Sequence, residues 1–149
     1  MASKTLTIEI GNEFIKVCEA QVNKNNVMVH HAISVQTPQD TVEDGFVKDI
    51  TQVSEAIGRA LTQEQITAKE VTFVLNSSRV ATKEVIIPYV KMDKVQELIN
   101  ANASEYFPVN IDDYVLSYTI LEAKKTKEEQ KMRVLVYAAP ERMVESYFN

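Results

Sequence analysis

The first seventeen residues constrain the fold of this chain more than any other segment. Apolar residues alternate with polar ones over residues 6–10, which is the period of a half-buried strand. Gly11 follows at once, and a second apolar stretch that carries Lys16 begins at Phe14. The pattern predicts two antiparallel strands joined by a tight turn at Gly11, with the lysine on the outgoing strand.

The rest of the chain alternates between strand and helix patterns, which predicts an α/β fold with helices on a sheet. Gly58 lies inside the first helix, where it predicts close packing, because glycine there costs about 1 kcal/mol relative to alanine. The predicted elements are a strand at 27–35, a polar loop at 36–48, a helix capped by Asp49, a strand at 70–75 with both faces buried, a strand at 80–87, a helix from Asp93 with a capping box to Gln96, strands at 112–122 and 132–139 around a charged tip, and a helix starting at Pro140.

Composition and charge exclude several functional classes. The 149 residues suit one ordinary domain or two small subdomains, and the net charge of -5 disfavours binding to nucleic acid or to an anionic lipid surface. The single cysteine, Cys18, cannot form an internal disulfide, which favours a reducing compartment. No apolar run reaches the roughly 18–20 residues of a membrane span. We therefore expect a cytoplasmic protein without direct membrane insertion.

The turn at Gly11 is a candidate phosphate-binding loop. Backbone N–H groups of residues 11–13 could cradle a phosphate, since glycine allows close approach and turns of this kind bind anions. Lys16 would meet the phosphate as a point charge. A plain hairpin turn with a solvated lysine fits the local pattern better, because a glycine followed by a lysine is not specific. The candidate cofactor-binding residues are Gly11, Asn12, Glu13, Lys16 and Glu9.

No catalytic constellation and no metal site is predicted elsewhere in the sequence. His30 and His31 are adjacent in a predicted strand, so their side chains point to opposite faces and cannot share one metal. Asp112 and Asp113 suit the capping or solvation of a strand start better than a cation site. Cys18 is interpreted as a small core residue, since it lies in a predicted strand.

The order of several segments resembles the PilM family, the actin-like cytoplasmic proteins of type IV pilus assembly, which are relatives of FtsA. A strand that ends at Pro88 and a helix that ends at Tyr106-Phe107-Pro108 are the more specific parts of this resemblance. The resemblance covers nearly the whole chain but only the first half of the family. The segments that carry it are residues 8–11, 15–17, 43–49, 71–79, 83–88, 105–118 and 134–140.

The resemblance implies part of an actin-like, ribonuclease-H-like ATPase fold. Residues 1–81 and 131–149 would form a core subdomain, and residues 82–123 a small inserted β-α-β subdomain. The full-length family binds ATP and magnesium between two lobes. This chain lacks the second lobe, and Glu9 stands where the family usually has aspartate, so we expect no enzyme activity and no cofactor bound by this chain alone.

The resemblance also implies a partner. PilM-like proteins hold the cytoplasmic N-terminal tail of the inner-membrane protein PilN and so act with other pilus assembly proteins. The expected role is a scaffold placed peripherally at the inner membrane through its partners. The alternatives are half of an actin-like ATPase, or a cell-division anchor of the FtsA type. The predicted partner-binding residues are Val85, Ile87, Pro88, Tyr106, Phe107 and Pro108.

The end of the chain predicts self-association. It stops partway into a helix, which we interpret as a truncation or a proteolytic fragment, with a naturally short homologue as the alternative. Apolar residues of that helix would lack neighbours. Large exposed apolar patches usually mark interfaces, so a homodimer formed through this helix or by exchange of an element is expected. The residues of this apolar face are Met143, Val144, Tyr147 and Phe148.

Overall fold

The computed structural model describes residues 4–148, which divide into two compact units. The first unit comprises the residues up to Ser77 together with those from Glu145 onward, and the second comprises Ser78–Val144. The elements in chain order are β1 (Lys4–Ile10), β2 (Phe14–Asn23), β3 (Asn26–Gln36), β4 (Val42–Glu43), β5 (Phe46–Val47), α1 (Ile50–Gln63), β6 (Glu70–Val74), β7 (Ala81–Pro88), α2 (Met92–Ala101), α3 (Ala103–Tyr106), a 3-10 turn (Ile111–Asp113), β8 (Tyr114–Lys125), β9 (Gln130–Pro140) and α4 (Glu141–Glu145).

The first unit is built on a four-stranded sheet in the order β3-β2-β1-β6. β1 pairs antiparallel with β2 and parallel with β6, as expected for a strand that returns to the sheet after a helical crossover. Alternate residues of β1 and β2 point into the core, and Val53 of α1 packs among them. The most buried members of this core are Leu6, Ile8, Ile10, Ile15, Val17 and Val53.

Helix α1 starts where the sequence predicts. Asp49 is the N-cap, and its carboxylate accepts a hydrogen bond of 3.0 Å from the backbone N–H of Gln52. The pKa of the Asp49 carboxyl is lowered most by a second hydrogen bond, of 2.8 Å from the Gln52 side-chain amide, and further by the backbone bond. Gly58 is exposed and a side chain at that position would meet nothing within 4 Å, so the predicted close packing is wrong.

One strand of the first sheet is less buried than predicted. β6 was expected to be buried on both faces, but Val71 and Val74 are 46% and 42% exposed because the strand lies at the edge of the sheet.

The segment 36–48, predicted as a loop, contains the short hairpin β4–β5. Its two-residue turn has Asp44 and Gly45 both at positive φ, 46° and 78°, which is the geometry that an Asp-Gly pair favours.

The second unit is a three-stranded antiparallel sheet in the order β7-β9-β8, with α2 supplying buried residues to its core. Val95 and Ile99 of α2 are fully buried, and each such side chain stabilises the unit by roughly 1.5–3 kcal/mol. The helix begins one residue before Asp93, after Lys91, and no side chain caps it, so the predicted capping box is absent. The other buried residues of this core are Val85, Ile87, Phe107, Met132, Val134, Val136 and Ala138.

The boundaries of the units differ from the predicted subdomains. Residues 131–149 were expected to return to the core subdomain, but β9 is the central strand of the second sheet, between β7 and β8. Its alternate residues from Met132 to Ala138 are fully buried in the core of that unit. Only the residues from Glu145 onward belong with the first unit.

The end of the chain is more buried than predicted. Met143 and Tyr147 are 1% and 7% exposed, and Val144 is half-buried. The helix that was predicted to start at Pro140 starts one residue later, because Pro140 still pairs with Tyr114 as the last residue of β9. Of the four residues predicted to form an apolar face, only Phe148 is largely exposed.

A buried carboxylate stands inside the first unit. Glu19 is fully buried, and its Oε2 contacts both the Lys4 ammonium at 3.1 Å and the His31 ring nitrogen Nδ1 at 3.0 Å, while its Oε1 has no hydrogen-bond partner among the described residues. The hydrogen bond with His31 lowers the pKa of the Glu19 carboxyl most; burial raises it, and Lys4 lowers it further. The net effect is a lowered pKa.

We expect this carboxylate to make stability depend on acid pH. A carboxyl whose pKa is lower in the folded state stabilises the fold above its unfolded pKa of about 4.3, and that stability is lost as the pH falls through the folded value. Glu19→Gln should therefore flatten the loss of stability below about pH 5, measured by urea unfolding at several pH values. The matched control is Glu13→Gln at an exposed position. An unchanged acid limb in Glu19→Gln would contradict the assignment.

Candidate functional site

The β1–β2 turn is held by backbone and threonine contacts. The Gly11 N–H donates to the Phe14 carbonyl at 3.0 Å, and a Cβ on Gly11 would lie 2.9 Å from that oxygen. Glycine is needed here for close approach, since real Cβ atoms do not come so near a backbone oxygen. The Thr37 hydroxyl donates to the Gly11 carbonyl at 2.7 Å, and the Thr37 N–H donates to Glu13 at 2.9 Å. Thr37 therefore fixes the turn from the adjacent end of β3.

Asn12 uses its side chain inside the protein. Its Oδ1 accepts a hydrogen bond of 3.0 Å from the backbone N–H of Asp44, in the β4–β5 turn. The side-chain oxygen of Asn12 thus links two turns of the first unit.

Glu9 and Lys16 face each other across the β1–β2 pair. They are register partners, and the Lys16 ammonium lies 3.4 Å from both oxygens of the Glu9 carboxylate. Lys16 is exposed and Glu9 is half-buried. An exposed pair of this kind contributes at most about 1 kcal/mol. A phosphate approaching Lys16 would therefore meet a lysine whose charge is already balanced by a carboxylate.

The structure separates the five predicted phosphate-loop residues. Asn12 and Glu13 line an open cleft of about 1070 Å³, whereas Glu9 and Lys16 line a different hollow of about 410 Å³ on the sheet face away from the core. Gly11 lines neither space. The turn thus divides its candidate ligands between two surfaces of the first unit.

The larger cleft has mixed charge. Its acidic side chains are Glu13, Asp40 and Glu43, and its basic side chains are Lys48 and Arg59. Lys48 lies 3.4 Å from Glu43, so at least one cation is already paired. The cleft therefore offers no concentrated positive charge for a triphosphate.

The six predicted partner-binding residues fall into two groups. Val85, Ile87 and Phe107 are 8%, 3% and 4% exposed and belong to the core of the second unit. Little of these three side chains is open to a partner, and their role in partner binding stays a prediction. The accessible members are Pro88, Pro108 and the half-buried Tyr106. Burial raises the pKa of the Tyr106 hydroxyl, with a smaller effect from Glu105.

Two residues of the candidate sites were missed from the sequence. Thr37 is buried and fastens the candidate phosphate turn, although the only sequence signal is a threonine before Pro38 at the end of a strand. Ile86, between two core residues of β7, is 66% exposed on an edge strand. The alternation of β7 already indicated that Ile86 faces away from Val85 and Ile87.

Within residues 4–148, no three histidine, cysteine, aspartate or glutamate side chains lie close enough together to hold a metal ion. Over the same residues no helix combines the length and the apolar character that a membrane span requires.

Comparison with known proteins identifies a family and a solved structure with a similar fold. The sequence profile of the family described as type IV pilus assembly protein PilM matches residues 7–148. The protein chain of a solved "PilM-PilN type IV pilus biogenesis complex" aligns with 99% of this chain at a TM-score of 0.82 and 22% identity. This chain spans 44% of the length of that chain. The likeness confirms the predicted fold class, an α/β part of an actin-like fold.

A second solved structure is more distant. It is a Bacteroides thetaiotaomicron protein described as having an actin-like ATPase fold and unknown function, at a TM-score of 0.41 and 12% identity over 99% of this chain and 48% of its own. A TM-score this low carries no argument here. No curated protein matches the chain.

Proposed function

This chain belongs to the family of type IV pilus assembly protein PilM, and from that membership we propose that it is a cytoplasmic scaffold component of type IV pilus assembly. Its partner would be the N-terminal cytoplasmic tail of an inner-membrane protein of the PilN type. The observation that carries the proposal is the family match over residues 7–148, and the PilM–PilN complex is the solved structure that supports the choice of partner.

The free edge of β7 is the proposed docking site. β7 pairs only with β9 among the described strands, so its other edge is open to an added strand. An extended peptide gains backbone hydrogen bonds along such an edge and side-chain contacts on either face. Ile86 and Pro88 are exposed on this strand, and Ile86 offers an apolar contact.

Titration of a PilN-type N-terminal peptide into the labelled protein tests this site. We expect amide shifts in NMR spectra over residues 81–88, and we expect Ile86→Asp to weaken binding. The matched control is Val115→Asp, an exposed position on β8 at the other edge of the same sheet. Shifts confined to β8, or absent altogether, would remove β7 as the site. Shifts confined to the first unit would also overturn this proposal.

We further propose that this chain alone is not an enzyme and binds Mg-ATP only weakly. The support is geometric, since the predicted phosphate residues lie on two surfaces and Lys16 is paired with Glu9. Donors on one side of a triphosphate should give a dissociation constant above about 1 mM, which corresponds to about 4 kcal/mol. In the family, the rest of the nucleotide site would come from the part of PilM that this chain does not span.

Isothermal titration calorimetry with Mg-ATP checks this expectation. We expect no saturable heat up to millimolar nucleotide in the parent protein and none in Lys16→Ala. A micromolar dissociation constant that Lys16→Ala weakens would instead favour an ATPase half with a usable phosphate turn.

A further inference from the structure

Among the described residues, four strands form the edges of the two larger sheets, and one of them differs from the other three. The edges are β3 and β6 in the first unit and β7 and β8 in the second. β7 carries Lys83, Glu84 and a proline, β8 carries a glutamate and two lysines, and β6 starts with a glutamate and is only five residues long. Charges, proline and shortness are the usual features that stop edge strands from pairing with another chain.

β3 has none of these protective features. Its eleven residues, Asn26–Gln36, include no lysine, arginine, aspartate, glutamate or proline. Its pairing with β2 covers one edge, and no other described strand pairs with the opposite edge. The strand has one other protective feature, a register shift opposite Glu19 and Ala20 that separates its two halves and leaves residues 26–29 as a regular edge.

The first half of β3 is exposed and apolar. Val27, Met28 and Val29 are 65%, 56% and 55% exposed. Val22, the register partner of Val27, is 60% exposed on the neighbouring strand. By contrast, Ile33 and Val35 in the second half pack against the core of the first unit. The apolar surface open to a partner is thus concentrated beside the turn that joins β2 to β3.

We propose that this end of β3 pairs with β3 of a second copy of this chain, antiparallel and centred on Met28. This register places Val27 of one copy opposite Val29 of the other, and Met28 opposite its own mate. The interaction goes beyond the proposed function and uses a surface in the other unit.

Charge is what selects a second copy as the occupant. The chain carries a net charge of -5, so two copies repel each other on average. In a two-fold antiparallel pair, only the residue on the axis faces its own mate, and every other residue faces a different residue of the second copy. Like charges directly opposite each other in a sheet are destabilising. A pair of β3 strands places no carboxylate or ammonium of either strand across the interface in any register, because β3 contains no lysine, arginine, aspartate or glutamate. The other three edge strands each carry at least one such residue.

The small area of the β3–β3 pairing limits the affinity of the dimer. A pairing of about five residues from each copy lies below the roughly 1,200 Å² of total buried area that stable complexes need. The dimer therefore forms at high protein concentration and exchanges rapidly with monomer.

Sedimentation equilibrium tests the proposal on the protein as it stands. We expect the average mass of the parent to rise toward twice the monomer mass as the concentration approaches about 1 mM, as for a weak interface. Met28→Lys places two lysines face to face and should weaken association by about tenfold or more. Ile86→Lys, at a similarly exposed position on β7, is the matched control and should associate like the parent.

A cross-linking experiment keeps the test independent of the folding of the lysine variant. In a Cys18→Ser background, Met28→Cys should form an intermolecular disulfide, because residues facing each other across an antiparallel pair bring their Cβ atoms within about 4.5–5.5 Å. Ile86→Cys and Val115→Cys should not. A parent that stays monomeric at about 1 mM overturns the proposal. So does equal cross-linking at all three positions, or loss of association in Ile86→Lys alone, which would move the interface to β7.

Discussion

Phe107→Ala is expected to lower the free energy of unfolding by about 3–5 kcal/mol, the range for truncating a buried aromatic side chain. Phe107 is 4% exposed and packs in the core of the second unit with Ile99 and Val134. Its removal would leave a cavity that the sheet and α2 cannot both close. Urea unfolding followed by circular dichroism measures the change, and amide hydrogen exchange in α2 locates it.

The neighbouring Pro108 provides the control for this substitution. Pro108 is exposed, so Pro108→Ala should change stability by no more than about 0.5 kcal/mol. Comparing the two variants also distinguishes a core role of Phe107 from a contact with a partner. If Phe107→Ala kept the stability of the parent but lost peptide binding, Phe107 would be a contact residue after all, and its assignment to the core would fail.

The hairpin and the first helix could be predicted because their signals are local. The alternation over residues 6–10 fixes which face of β1 is buried, and Leu6, Ile8 and Ile10 are the residues found in the core. Asp49 caps α1 through a bond that spans only three residues. Such features depend on nearest neighbours along the chain, which a single sequence contains.

Burial and sheet order could not be predicted in the same way. β6 and the first half of β3 are as apolar as β1, yet Val71 and Val29 are 46% and 55% exposed. The difference is that both strands lie at sheet edges, and the two-residue period does not encode which strand lies beside which. The same limit explains why the place of β9 in the second sheet was not predicted. Its pairing with β7 and β8 depends on contacts between distant segments.

Some features of the candidate site could be predicted from the sequence and others could not. The turn at Gly11 was predictable, and a stronger signal was overlooked at Asp44-Gly45, a dipeptide typical of a two-residue hairpin turn. The pairing of Glu9 with Lys16 required the strand register, which shows that residues seven positions apart face each other. The link from Asn12 to Asp44 spans 32 positions and had no signal in the sequence.

Tyr147→Ala should be nearly as damaging as Phe107→Ala, at about 3–5 kcal/mol. Tyr147 is 7% exposed in the core of the first unit, and its ring meets the edge of Phe73 with centroids 5.4 Å apart. Its hydroxyl donates to the Gly45 carbonyl at 2.8 Å. Phe148, which is 75% exposed, is the adjacent control, and Phe148→Ala should cost much less.

Tyr147→Phe isolates the hydroxyl and tests whether the end of the chain supports the β1–β2 turn. Loss of the bond to Gly45 should cost about 1–2 kcal/mol, since a buried carbonyl loses its donor. The neighbouring Asp44 N–H binds Asn12, so we expect NMR shifts at Asp44 and Asn12 in this variant. Shifts limited to Gly45 would show that the two turns are not coupled.

The same variant gives a prediction at alkaline pH. Burial, and to a smaller extent the nearby Glu9 carboxylate, raise the pKa of the Tyr147 hydroxyl. A group whose pKa is raised in the folded state contributes stability that is fully present below its unfolded pKa, about 10 for tyrosine, and lost as the pH rises through the folded value. The stability difference between the parent and Tyr147→Phe should therefore shrink above about pH 10, in urea unfolding at matched ionic strength. A difference that stayed constant from pH 8 to 11 would mean that the hydroxyl ionises as easily in the folded protein as in the unfolded chain, and so that it does not hold Gly45 from a buried position.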